Sequence, residues 1–297
     1  PLKTRPVCST SGTLLEPLGH FVNAFLQPIA RQQRSFFKDS PSLKKYLLSL
    51  GPLPPGARLF TADAASMYTN IPTSTALTYI TRHLRQLNDP TIPVEALIAG
   101  LKTVMTNHVF NFGDTTWHQK KGTAMGIPPA PPIATIYYGI HEDSFLSDFP
   151  ELFCYKRFID DVLGIWIPST VNRWHSFQTR MNDCPGLTWE FTPLAASADF
   201  MDLSITITDA RTLSFTLYEK PLNHHLYIPP HSAHPPGMLQ GLIHGMVHRI
   251  FSLCSDDTDK HFRIRSLYYH LVAAVSYTHL RAHETKANLV CRLLLEK

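Results

Sequence analysis

The sequence lacks the cysteine pairs that mark zinc ribbons and disulfide scaffolds. Its five cysteines are scattered along 297 residues without any C-x-x-C pair: Cys8, Cys154, Cys184, Cys254 and Cys291. This spacing argues against both arrangements. We therefore interpret the cysteines as reduced thiols of an intracellular protein.

Long apolar runs and strong net charge are also absent. No uninterrupted apolar stretch reaches the roughly 18 residues that a membrane-spanning helix needs, so we expect no membrane partner. The formal net charge is +4 at pH 7, well short of the basic runs typical of a nucleic-acid-binding tail. This charge permits a nucleic-acid partner without demonstrating one.

Periodicity predicts a mixed fold. The chain is 44% hydrophobic, which is enough for a sizeable core. Residues 1–55 show no long periodicity and end in the breaker cluster GPLPPG at 51–56, which predicts a loop. Apolar spacing then predicts helices from residue 73, from 94, at 133–145 and at 171–181, and strands at 58–63, 187–191, 200–208 and 213–218. Hairpins are predicted at 108–119 and 155–166. The class is α+β, with an antiparallel sheet backed by helices.

Three acidic residues stand at the ends of predicted strands. Asp63 ends one strand, and Asp160 with Asp161 lies in the turn of a hairpin. An Asp pair in a turn is usually a solvated turn, because Asp is a favoured turn residue. Here apolar residues on both sides indicate a core hairpin instead. If the two strands are neighbours, the three carboxylates supply the oxygen ligands that two Mg²⁺ ions need for phosphoryl transfer.

Five segments follow one another along the chain: TADAASMYTNIP (61–72), QKKGTAMGIPPAPPIA (119–134), YKRFIDDVLGIW (155–166), FMDLSITI (200–207) and TLYEKP (216–221). In this order they resemble the successive palm motifs of reverse transcriptases, above all those of Penelope-like retroelements, which are similar to telomerase. The resemblance extends over nearly all of residues 1–259. The chain departs from that family in having fewer arginines in GMVHRIFSLCS. The GIY-YIG endonuclease domain often found further along in that family does not occur in residues 1–297, and truncation explains this at least as well as biology does.

The resemblance implies a right-hand polymerase architecture. Residues 1–57 would be partial fingers and the palm entry, 58–220 the palm, and 221–274 the start of a thumb. The implied activity is RNA-directed DNA synthesis, in which a DNA primer on an RNA template is extended with deoxynucleoside triphosphates. Two Mg²⁺ ions are implied as cofactors, with Mn²⁺ as an alternative, and the nucleus as the site of action. The oligomeric state is left open.

The same resemblance implies roles for particular residues. Asp63 and Asp160 would be metal ligands, and Asp161 a ligand or an acid just behind them. Tyr68 would be a steric gate against the 2′-hydroxyl of ribonucleotides, with a core aromatic as the alternative.

Five further positions line the nucleotide or the nucleic acid in that family. Gln119, Gly122 and Gly126 would lie along the nucleotide and template strand, where glycine permits close backbone approach; the alternative for the glycines is a plain turn. Lys220 would lie near the primer grip. Arg5 would contact the triphosphate or the template, and for both charged residues the alternative is a solvated surface charge.

Two segments invite other interpretations. His224, His225, His231 and His234 crowd within one Pro-rich stretch, but their spacing matches no standard zinc finger and no cysteine accompanies them, so a loop near the thumb base is favoured. Residues 275–297 resemble a translated sequencing adapter, and we exclude them from fold reasoning.

Two rival functions remain. One is a domesticated, non-catalytic nucleic-acid-binding module with a polymerase palm; the intact set of three aspartates favours an enzyme. The other is an RNA-templated RNA polymerase, against which the aromatic residue at Tyr68 favours deoxynucleotide use.

Overall fold

A computed structural model describes residues 7, 8, 10–223, 225, 227, 233–235 and 237–274. The helices are α1 (Leu15–Arg31), α2 (Ser40–Ser49), α3 (Met67–Asn70), α4 (Thr73–Gln86), α5 (Val94–Thr106), α6 (Ala130–Asp143), α7 (Val171–Asn182), α8 (Met238–Leu253) and α9 (Asp257–Ala274). The strands are β1 (Arg58–Ala64), β2 (Val109–Phe112), β3 (Thr115–His118), β4 (Leu152–Phe158), β5 (Asp161–Trp166), β6 (Trp189–Phe191), β7 (Ser197–Phe200), β8 (Leu203–Ile207) and β9 (Leu213–Leu217). Across these ranges, no helix combines the length and the hydropathy that crossing a membrane requires.

The main sheet has four antiparallel strands in the order β4-β5-β1-β6. The β4–β5 hairpin lies beside β1, although about 90 residues separate them in sequence. In the β1–β5 pair the register places Asp63 opposite Asp161. This arrangement joins the two predicted acidic segments at one end of the sheet.

Each face of the main sheet packs against a separate hydrophobic core, because successive strand residues point to opposite faces. Phe60, Val162 and Trp166 belong to the first core, which buries residues of α1 and α4 to α7. Leu59 and Leu163 belong to the second core, with α2, the β7-β8-β9 sheet, α8 and α9. Asp63 and Asp161 share the second face by alternation, near the turn end of the sheet.

Most predicted elements are confirmed, including both hairpins and the helices that begin at 73 and 94. Residues 1–55 are a correction, because they contain α1 and α2 where no periodic element was expected. α2 has a recognisable start: the Asp39 carboxylate accepts from the Ser42 backbone N–H, and the Ser42 side chain completes a capping box. The strand predicted at 200–208 is two strands, β7 and β8, separated by a turn in which Met201 has a φ of +51°.

Candidate active site

Three aspartates lie together at the end of the main sheet. Asp63 and Asp161 are directly opposite in the β1–β5 pair, so their side chains point to the same face with Cβ atoms about 4.5–5.5 Å apart. Asp160 lies in the two-residue turn between β4 and β5. Its carbonyl accepts a hydrogen bond from the Ala64 backbone N–H at 2.9 Å, which ties the turn to the end of β1.

The electrostatics of the site reflect this crowding of negative charge. Burial, together with the nearby charges of Asp160 and Asp63, raises the pKa of the half-buried Asp161 to about 6, while Lys220 acts in the opposite direction. Asp63 is exposed. Carboxylates at this spacing are typical of sites that bind cations.

A fourth acid adjoins the three. Glu190 of β6 is the register partner of Asp63 on the side opposite β5, and its side chain is exposed. The sequence analysis predicted this strand but did not single out Glu190. The missing information was the strand order, because only the placement of β6 beside β1 makes Glu190 a neighbour of Asp63.

The donor set agrees in its chemistry with hard divalent cations, which prefer carboxylate oxygens. Burial is the largest cause of the raised pKa of Asp161, and the charges of Asp160 and Asp63 act in the same direction. Within the described ranges, no group of three or more His, Cys, Asp or Glu side chains is arranged closely enough to hold a metal ion. The residues fit Mg²⁺ by their chemical identity and by their places on neighbouring strands.

Tyr68 lies on α3, the short helix that follows β1. Burial raises the pKa of its phenol to about 12, and the charge of Asp160 contributes in the same direction. The ring is half-buried and packs against the first core. Tyr68 therefore has features of both expected roles. Its ring contacts the core, and the charge of Asp160 contributes to the raised pKa of its phenol.

Gly122 packs against the backbone that presents Tyr68. Its φ is +90°, and a Cβ added there would lie 2.5 Å from the Tyr68 carbonyl oxygen and 2.8 Å from the Thr69 Cα. The next residue, Thr123, donates its N–H to that same carbonyl at 2.7 Å. This close approach is to the chain itself, and it fixes the segment 119–126 against α3. The approach to nucleotide and template that was predicted for this glycine stays a prediction.

Replacing Gly122 by alanine is expected to destabilise the fold by about 3 kcal/mol or more, because the substitution adds a backbone clash to an unfavourable left-handed conformation. Gly113→Ala is the matched control: its φ is +59°, but nothing lies within 4 Å of the added Cβ. We expect that control to cost about 1 kcal/mol. Denaturant unfolding of both variants measures the loss in the free energy of unfolding. Equal losses would show that Gly122 is an ordinary turn glycine.

Gln119 and Gly126 are engaged with the N-terminal segment. The Gln119 amide donates to the Lys121 carbonyl at 2.8 Å, and its side-chain oxygen accepts from the Cys8 Sγ at 3.6 Å. Gly126 has a φ of +99°, and an added Cβ would lie 3.0 Å from the Cys8 carbonyl oxygen. Both residues therefore hold the segment in place; their predicted contacts with nucleotide and template stay predictions.

Lys220 is exposed just after β9. Its charge lowers the pKa of Asp161, so the ammonium group lies near the acidic cluster, although the residue is far from it in sequence. Arg5 falls outside the described residues, and its predicted role stays a prediction.

The histidine-rich stretch is described only in part, since His224 and His231 fall outside the described residues. The His225 ring stacks on His270 of α9 with ring centroids 3.6 Å apart. His225 therefore packs on a helix of the segment 221–274, which had been predicted to begin a thumb. The adapter-like segment 275–297 also lies outside the described residues.

The structure is similar to solved polymerases at low sequence identity. An apo telomerase from Candida tropicalis aligns with a TM-score of 0.54 and 12% identity over 89% of this chain and 51% of that one. The RNA-dependent RNA polymerase of BmCPV at elongation state aligns with a TM-score of 0.55 and 12% identity over 88% and 24%. The Sicinivirus 3Dpol RNA-dependent RNA polymerase aligns with a TM-score of 0.51 and 12% identity over 79% and 50%.

These similarities show the fold, which is that of a polymerase palm with an antiparallel sheet and backing helices. The chain spans about half of the telomerase and 3Dpol chains and 24% of the BmCPV chain. A family model described as "Animal helix-turn-helix domain" matches residues 226–273, a range that includes α8 and nearly all of α9. A comparison with curated proteins finds no match.

Proposed function

We propose that this chain is the palm, with neighbouring parts, of an RNA-directed DNA polymerase from a Penelope-like retroelement. The proposal rests chiefly on one observation: Asp63 and Asp161 are register partners, with Asp160 in the adjoining turn, at the end of a sheet that has a polymerase palm fold. The five motifs that resemble those of reverse transcriptases support the finer assignment. The site of action that we propose is the nucleus.

The proposed chemistry is attack of a primer 3′-hydroxyl on a deoxynucleoside triphosphate, with release of pyrophosphate. Two divalent ions, when bound, would neutralise charge on the phosphates and activate the hydroxyl. The chain's own contribution is positioning. Asp63 and Asp160 would hold the ions, and Asp161 would assist from β5, whose pairing with β1 fixes its place beside Asp63.

Two nearby residues fit roles in substrate binding. Tyr68, whose phenol pKa is raised in part by the charge of Asp160, would cover the sugar of the nucleotide and exclude a 2′-hydroxyl. Lys220, whose charge reaches Asp161, would contact the primer strand or the phosphates by charge. RNA template and DNA primer are the partners that this arrangement would accept.

An RNA-templated RNA polymerase is the second candidate, because solved RNA polymerases share the fold. Tyr68 beside Asp160 favours deoxynucleotides, since an aromatic ring at that place occupies the volume of the 2′-hydroxyl. A non-catalytic nucleic-acid-binding module is the third candidate. The acidic cluster argues against it, because repulsion among these carboxylates costs stability unless cations relieve it.

Primer extension separates the three candidates. The full chain would be given a primed RNA or DNA template, with either deoxynucleotides or ribonucleotides, in Mg²⁺, in Mn²⁺ or with a chelator. Deoxynucleotide addition on RNA, lost with the chelator, supports the proposal. Addition of ribonucleotides alone would identify an RNA polymerase, and template binding without any extension would identify a non-catalytic module.

A further inference from the structure

Arg157 and Glu142 form a buried ion pair next to the turn that contains Asp160. The Arg157 Nε donates to the Glu142 Oε1 at 2.6 Å, and its Nη2 donates to Oε2 at 2.9 Å. The two side chains are 0% and 2% exposed. Burial alone would lower the pKa of Arg157, but the Glu142 carboxylate outweighs it and the net direction is upward.

Arg157 also reaches the turn itself. Its Nη1 donates to the carbonyl oxygen of Ile159 at 2.9 Å, and Ile159 immediately precedes Asp160. Ile159 has a φ of +57°, a left-handed conformation that β-branched residues rarely adopt. Such a conformation persists only where surrounding contacts hold it.

Besides the turn itself, the partners of this pair come from α6 and from the segment between α1 and α2. Nη2 of Arg157 also donates to the Thr135 carbonyl of α6 at 2.9 Å. The Ser35 hydroxyl, between α1 and α2, donates to Glu142 at 2.6 Å, and the Ser35 carbonyl accepts from the Arg157 backbone N–H at 2.9 Å. The guanidinium lies 5.1 Å from the Tyr138 ring centroid. These contacts hold the Arg157 side chain in place independently of its hydrogen bond to the turn.

Arg157 cannot reach a substrate. Its register partner on β5 is Val162, which is buried in the first core, so Arg157 points away from the face that bears Asp63 and Asp161. Any effect on chemistry must pass through the turn backbone. A positioning residue acts in this way.

We propose that Arg157, anchored by Glu142, holds the Ile159 turn and thereby sets the position of Asp160 and Asp161. The inference about the turn rests on geometry alone, and its link to catalysis rests on the proposed polymerase function. A lysine at position 157 would keep the positive charge but lack the planar fork that serves Glu142, Thr135 and Ile159 together. Arg157→Lys is therefore the informative substitution.

The same hairpin provides a matched control. At its opposite end Arg173 makes a similar bidentate pair with Glu151, through Nε at 2.8 Å and Nη2 at 3.0 Å. This pair lies about 20 Å from the turn, given the length of β4. Each end also has a reporter backbone N–H: Ala64 donates to the Asp160 carbonyl, and Ile167 donates to the Glu151 carbonyl.

Hydrogen exchange at these two amides tests the proposal. Arg157→Lys is expected to speed exchange at Ala64 by about tenfold or more while leaving Ile167 within about twofold. Arg173→Lys should leave Ala64 unchanged. In extension assays Arg157→Lys should lower kcat about tenfold with little change in the KM for deoxynucleotide, because the loss lies in positioning.

Equal acceleration at both amides, or none at Ala64, would overturn the proposal, because Arg157 would then only stabilise the core. If Arg157→Lys does not fold, Glu142→Gln serves instead. It keeps the side-chain shape but removes the anchoring charge, and it should speed exchange at Ala64 by a smaller factor; no change there would overturn the proposal too. Failure of the wild-type chain to extend a primer would refute the polymerase assignment and leave the exchange result intact.

Discussion

Asp160→Asn is expected to lower primer extension by about 10³-fold or more while the protein stays folded and still binds template. Asparagine keeps the shape of the side chain but removes the charge that divalent ions require. Because Asp160 raises the pKa of Asp161 by repulsion, its neutralisation should leave the melting temperature unchanged or slightly higher. Asp63→Asn should behave alike, and Asp161→Asn should be milder.

The control for this experiment is the same chemical change in another hairpin turn. Asp209 is exposed in the turn between β8 and β9, and Asp209→Asn should extend primers at the wild-type rate. Steady-state rates, melting temperature and template affinity would be measured for each variant. Extension at the wild-type rate by Asp160→Asn would end the assignment of the aspartates to a two-metal site.

Tyr68→Ala is expected to raise ribonucleotide incorporation. We expect discrimination against ribonucleotides to fall about 10- to 1,000-fold, equivalent to about 1.4–4 kcal/mol of differential transition-state binding. The physical reason is steric, since removal of the ring opens the volume that a 2′-hydroxyl needs. The measurement is kcat/KM for a matched ribonucleotide and deoxynucleotide pair.

The alternative role of Tyr68 gives a different result. A purely structural aromatic would cost roughly 3–5 kcal/mol of stability on truncation and lower activity equally for both nucleotide types. Because the ring packs against the first core, some loss of stability is expected in either case, so the discrimination ratio decides. An unchanged ratio would refute the gate.

Two variants sharpen this comparison. Tyr68→Phe keeps the ring and should keep discrimination. Tyr79→Ala removes another half-buried ring, which stacks on Tyr137 with centroids 5.9 Å apart. It should cost stability without changing the ratio of ribonucleotide to deoxynucleotide incorporation.

Local patterns in the sequence were sufficient for most of the palm. Apolar runs on both sides of Asp160 and Asp161 and helical spacing after Thr73 predicted a hairpin and a helix that are both present. The first 55 residues were misjudged, because the spacing of Val22, Leu26 and Ile29 in α1 was overlooked, and a proline, Pro28, interrupts the pattern. The capping box at Asp39 was a usable signal for α2 that the sequence analysis did not use.

The acidic residues of the candidate site that lie at the ends of predicted strands could be predicted from the sequence. Asp63, Asp160 and Asp161 could be named because each follows or begins an apolar run. Glu190 could not, because nothing local indicates that β6 pairs with β1. Arg157 could not either, since a charged residue within a strand is ordinarily assigned to a solvated face until its partner is known.

The sequence by itself determined most of the element types from residue 58 onward, the three candidate acids and the resemblance to reverse transcriptases, because these depend on short-range periodicity and on motifs a few residues long. Only the tertiary structure decided which strands are neighbours, that Gly122 packs against the Tyr68 backbone, and that Arg157 and Glu142 meet beneath the Asp160 turn. The reason is physical: strand order and charge burial depend on contacts between residues far apart in the chain. These contacts between distant residues form only in the folded chain, in which a hydrophobic core packs on each face of the main sheet. No local sequence pattern encodes them.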